Sequence, residues 1–197
     1  MENTPDHPRD IRERHGVTQP ELASLAGMTT HGVLRYEQGL YAKPSIKYLH
    51  ALSEISEYSV QELEHSYRWH RNNRIYETTK LFSTILEVPD RREEILQTVL
   101  RIAEVNNRLA LPDKPSHPFA MFRTRLCAAV GEPVSQIHFC ILTCIHPSYL
   151  DNFEKGKTAR VPRHLSEILV NAGLTKADID RLNDASKRYQ RWVQAND

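Results

Sequence analysis

Two groups of residues have the side-chain types that do chemistry. His138, Cys140, Cys144 and His146 are metal-binding by type. Their spacing matches no familiar zinc site, and buried thiols are the ordinary state of such cysteines, so no metal and no cofactor are expected. No oriented base accompanies the cysteines, so a thiolate nucleophile is not supported either. The second group is basic. Arg68, His70, Arg71 and Arg74 crowd one segment, and Lys155, Lys157, Arg160 and Arg163 form a second basic edge. Either could meet phosphate, although a run of charge is more often a solvated helix face. A phosphate-cradling glycine loop and a His-Glu-x-x-His pattern are both missing. No catalytic constellation emerges, and no enzyme is expected.

The composition limits what those residues can serve. The 197 residues suit one domain or two small ones. Lys and Arg total 26 against 25 Asp and Glu, a net charge of +1. A uniformly basic coat is therefore excluded, and any nucleic-acid contact must rest on local charge. Three cysteines without disulfide-framework spacing fit a reducing compartment. The polar, proline-containing start lacks the apolar core of a signal peptide. No run approaches the roughly 18 apolar residues of a membrane span. These features predict a cytoplasmic protein with no membrane partner.

Helix signals dominate the elements that must position these groups. Residues 9–15 read as a short helix ending near Gly16. Thr18 and Glu21 have capping-box spacing and open a second helix, with Leu22, Ala23, Leu25 and Ala26 as its apolar face and Gly27 as its stop. A third helix starts near Thr29, turns Val33, Leu34 and Tyr36 inward and stops at Gly39. Pro44 opens a fourth, carrying Ile46, Leu49 and Leu52 at helical spacing. Ser59 and Glu62 cap a fifth, led by Val60, Leu63 and Tyr67. The helical stretch 66–86 breaks at Val88-Pro89-Asp90. Asp90 and Glu93 then cap a helix with Ile95, Leu96, Val99, Leu100, Ile102 and Val105 on its apolar side. Residues 111–118 hold three prolines and make the best linker. A terminal helix carries Ile179, Leu182, Tyr189, Trp192 and Val193, a stripe suited to internal packing or to a dimer.

The early pattern returns beyond the linker at an offset of 117 residues. Val17, Gln19, Leu25, Glu37 and Gly39 are matched by Val134, Gln136, Leu142, Glu154 and Gly156. Thr18, Leu22 and Met28 keep their character in Ser135, Phe139 and Ile145. Pro44 is echoed one residue out of step by Pro162, and Ser59…Glu62 by Thr175…Asp178. Matches in one order that include both capping and closing motifs read as an internal repeat of about 65 residues.

Residues 11–52 resemble the Cro/C1-type helix-turn-helix family, phage repressors among them. The resemblance rests on Arg12, Gly16, Val17-Thr18-Gln19, Leu22-Ala23, Gly27, Val33, Tyr36-Glu37-Gln38-Gly39, and Pro44 with Ile46, Leu49 and Leu52. It implies a buried ion pair between Arg12 and Glu37 that holds the fold without reading bases. It also implies that Thr29, Thr30, His31 and Arg35 lie on a helix that enters the DNA major groove. Arg35 could take a guanine bidentately. Thr18 and Gln19 at a helix N-terminus would face phosphate, and Lys43 would touch the backbone. Gly32, unusual within a helix, reads either as a close approach to DNA or as drift. In the second copy Ser135 and Gln136 repeat the phosphate cap. His146, Pro147, Ser148 and Asn152 fall where base readers would lie, and Lys157 and Arg160 follow. Two departures stand out there. Cys144 replaces Gly27, and Ala129 replaces Arg12, which leaves Glu154 without a partner unless Arg125 substitutes.

These readings predict an all-α fold of two lambda-repressor-like helix-turn-helix domains joined by a helical connector. The expected limits are 1–65 for the first domain, 66–110 for the connector, 111–118 for the linker and 119–197 for the second domain. The expected function is a sequence-specific double-stranded DNA-binding repressor, of phage-immunity type by resemblance alone. A monomer reading an asymmetric site is favoured over a homodimer on a palindrome, with two groove faces about 34 Å apart. The alternative is a single DNA-binding head whose C-terminal half dimerises or holds a protein partner.

Overall fold

The computed structural model describes residues 5–108 and 116–196. Among them are eleven α-helices and no strand, so the chain is all-α. It divides into two compact units between Ile75 and Tyr76.

The first unit begins with α1 (Pro8–Arg14), α2 (Gln19–Leu25), α3 (Thr30–Glu37) and α4 (Ile46–Ile55). Helices this short are marginal alone and persist by capping and packing. Thr18 caps α2 through a complete capping box with Glu21, Thr29 caps α3 through the Gly32 amide, and Ser45 caps α4 through that of Tyr48. Ser59 and Glu62 form the second capping box, which opens α5 (Val60–Leu86). Leu22, Val33, Tyr48, Leu52 and Leu63 are fully buried in the shared core. Each of the aliphatic side chains contributes about 1.5–3 kcal/mol on leaving water. Two residues expected in that core lie outside it. Leu25 is 54% exposed and Ile46 58%, because Ala26 and Tyr48 hold the inward positions instead.

The second unit takes the end of α5 and adds α6 (Pro89–Arg108), α7 (Pro118–Ala129), α8 (Gln136–Thr143), α9 (Pro147–Glu154), α10 (Arg163–Asn171) and α11 (Lys176–Asn196). Its core is aromatic. Phe119 lies 5.3 Å from Phe153 and 5.8 Å from Phe122, and Phe82 of α5 stacks on Phe139 at 5.9 Å. The α5–α6 corner is built into the same unit. Gly173 has φ +114°, and a Cβ there would sit 2.8 Å from backbone atoms of Leu86 and Glu87. Arg92 Nη1 donates to the Gly173 carbonyl at 2.9 Å, and Arg181 pairs with Glu93. The terminal stripe of Ile179, Leu182, Tyr189 and Val193 is buried.

Three expectations need adjustment. The expected 65/66 limit falls inside α5. Asp90 lies in the first turn of α6 rather than ahead of it, since Pro89 already occupies the first helical position. Val105 is 47% exposed. Of the expected linker, residues 111–115 lie outside the described residues, and His117 caps α7.

Candidate nucleic-acid interface

Four short helices can present a side chain at a fixed angle only if their turn and first helix are locked. In the first unit the lock is Arg12. Its Nε donates to Glu37 Oε1 at 2.6 Å, its Nη2 to Glu37 Oε2 at 3.2 Å, and its Nη1 to the Val17 carbonyl at 2.7 Å. Gln19 Nε2 donates to Glu37 Oε2 at 2.7 Å. The pair is almost dry, with side-chain exposures of 6% and 2%. The Glu37 hydrogen bond holds the guanidinium pKa above its usual range. Breaking one partner of such a pair costs about 3–5 kcal/mol. The α2–α3 turn is a Schellman motif: Met28 N donates to the Ala23 carbonyl and Gly27 N to that of Ser24, with Gly27 at φ +58°. Gly39, at φ +68°, closes α3 in the same way.

The lock leaves one face of α3 outward. Val33 and Glu37 are buried, while Thr29, Thr30 and His31 are exposed and Gly32 and Arg35 are half-buried. Lys43 is exposed beyond the helix. Tyr36 stacks on Tyr48 at 4.8 Å and fixes the helix from behind.

The second unit repeats these atom pairs. Arg123 Nε donates to Glu154 Oε1 at 2.9 Å and its Nη2 to Glu154 Oε2 at 3.3 Å. Arg123 Nη1 donates to the Val134 carbonyl, and Gln136 Nε2 to Glu154 Oε2 at 2.9 Å. The α8–α9 turn is again a Schellman motif, with Ile145 N on the Cys140 carbonyl and Cys144 N on that of Ile141. Cys144 occupies the position of Gly27 at φ 50°, the one left-handed non-glycine among the described residues. That conformation costs a side-chain-bearing residue about 1–2 kcal/mol, so the turn is kept against a local penalty. Thr78 of α5 donates to the Leu142 carbonyl at 2.8 Å, satisfying the end of α8. Ser148 and Tyr149 are exposed on α9, and His146 and Asn152 are half-buried. Lys155, Lys157, Arg160 and Arg163 are exposed.

Several expected roles change. Glu154 does have a partner, but it is Arg123 and not Arg125, which is exposed. The amides of Gln19 and Gln136, expected to face phosphate, are turned inward onto the ion pairs. The Thr18 hydroxyl and amide are both taken by Glu21, which puts a carboxylate where a phosphate cap was expected. Ser135 caps α8 without such an acid, because His138 stands in place of the glutamate. The Ser148 hydroxyl is bonded to His146 Nδ1 at 2.7 Å. Tyr149, 66% exposed, was not singled out from the sequence.

The cysteines are buried. Burial pushes the Cys127 thiol up to about 11 and that of Cys140 to about 12, which makes both inert at neutral pH. Among the described residues no three or more His, Cys, Asp or Glu side chains group so as to hold a metal. None of the described helices is long and apolar enough to cross a membrane.

Residues 9–63 match the family model of the helix-turn-helix. That span covers α1 to α4 and the start of α5, and it is the fold of DNA-binding transcription regulators. Neither curated proteins nor solved structures gave a match to the chain.

Proposed function

We propose that the chain is a sequence-specific repressor that reads duplex DNA with two tandem helix-turn-helix heads, α3 in the first and α9 in the second. In the first head Thr29, Thr30, His31 and Arg35 face the groove and Lys43 meets the backbone. In the second, Asn152 reads bases while Lys157 and Arg160 bind phosphate. Such a chain acts by occupying its site and excluding polymerase, as repressors of the phage-immunity type do. Because the two reading sets differ, one chain prefers an asymmetric site, and no symmetric partner is required.

One observation supports the tandem reading above the others. The Arg–Glu–Gln lock and the Schellman turn recur atom for atom around α8 and α9. A buried charge pair is a weak source of stability, and its use here is to specify geometry. The same lock around α9, with Ser148 and Tyr149 exposed, supports a second reading head.

The test uses duplexes selected from a random pool by the full chain. Alanine at both Asn152 and Arg160 should weaken specific binding at least about ten-fold and shorten the protected region on one side. An unchanged affinity and footprint, or a palindromic site holding two chains, would refute the tandem reading and favour a single head with a C-terminal partner module.

A further inference from the structure

The second head, on the reading just proposed, lacks an obvious reader at the groove-entering end of its helix. Pro147 has no backbone donor, the Ser148 hydroxyl is bonded to His146, and Asn152 sits a turn further on and is half-buried. The largest outward surface on α9 belongs to Tyr149, which is 66% exposed. Its ring lies edge-on to that of His146 at 6.2 Å, leaning back over the N-terminal half of the helix.

The fold does not ask for this tyrosine. Its counterpart in the first unit is Gly32, where the same helix stands with no side chain at all. A large aromatic on this solvated helix face is available for a contact outside the chain's own core. Within a duplex the base faces are stacked and hidden, so a ring from the groove meets only base edges. The apolar element on the major-groove edge is the 5-methyl group of thymine.

We infer that Tyr149 is a specificity-determining residue of the second head, packing its ring against a thymine methyl. The inference rests on the tandem reading. It also makes the two heads unlike in depth: the bare backbone at Gly32 permits close approach, whereas the Tyr149 ring spans the gap itself.

A thymine-to-uracil scan of the selected duplexes, with the full chain, tests it. At one thymine, loss of the methyl should weaken the wild type about four-fold, the value of one buried methyl contact. Tyr149→Phe should keep that sensitivity. Tyr149→Ala should bind more weakly and be indifferent to that same replacement, with an unaltered melting temperature, since the ring supports no core. If Tyr149→Ala leaves affinity unchanged while Asn152→Ala weakens it, the second head stands and the tyrosine inference is overturned. If Tyr149→Ala weakens binding with no thymine-specific coupling, methyl reading is overturned. If neither substitution matters, the tandem reading falls as well.

Discussion

Gly32 separates what the fold needs from what the interface needs. A Cβ at this position would lie 3.4 Å from Thr29 Oγ1 and 3.8 Å from Met28 Sδ, which is ordinary contact. Alanine therefore fits, and helix propensity favours it by about 1 kcal/mol. Gly32→Ala should raise the melting temperature of the first unit by a few degrees. If glycine is there for close approach, the same substitution should weaken specific duplex binding several-fold. Higher stability with unchanged affinity would make the glycine incidental. Side chains that pair inward behave differently. Gln19 and Gln136 read as surface residues at helix N-termini, yet each amide completes a buried carboxylate's hydrogen bonds. Sequence position alone does not say which way a long side chain turns.

At the scale of the helix, the caps carry most of the local definition. His117 caps α7 by accepting the Phe119 amide on Nδ1, and its ring is packed between Phe153 and Tyr189. Burial holds its pKa down at about 4, below the ordinary 6.5. The folded state thus favours the neutral ring. Stability from this preference is complete above pH 6.5 and is lost as pH falls from there through about 4. His7 caps α1 in the same manner, also with a pKa of about 4, set by burial and then by nearby His70. Urea-unfolding midpoints should fall over that window. His117→Asn, whose side-chain oxygen can cap but cannot titrate, should flatten the fall. An equal slope in the variant would contradict the assignment. The capping boxes at Thr18 and Ser59 were legible because the residues that make them lie three apart in the chain. The partner of Glu154 was not, because six more residues separate Arg123 from Val134 than separate Arg12 from Val17, so a constant offset of 117 lands on Ala129. The helical period held the answer: Phe119, Phe122, Arg123 and Leu126 share the buried face of α7, and Arg125 does not.

The whole molecule carries a net charge of only +1, so duplex binding must come from where side chains sit rather than from bulk attraction. The all-α class was readable from period and motif. The membership of the connector was not. The end of α5 and all the described part of α6 belong to the second unit, through Phe82 on Phe139, Thr78 on the Leu142 carbonyl and Gly173 against the α5–α6 corner. Those contacts join residues 57 to 87 positions apart, which no local pattern records. The central claim is that the outward face of α3 reads base pairs. Its most direct test is selection from a random duplex pool by the full chain in parallel with Arg35→Ala. The variant should lose preference for guanine at one position and bind the wild-type site about 5–150-fold more weakly, the range for one bidentate contact. An identical motif with identical affinity would contradict the account.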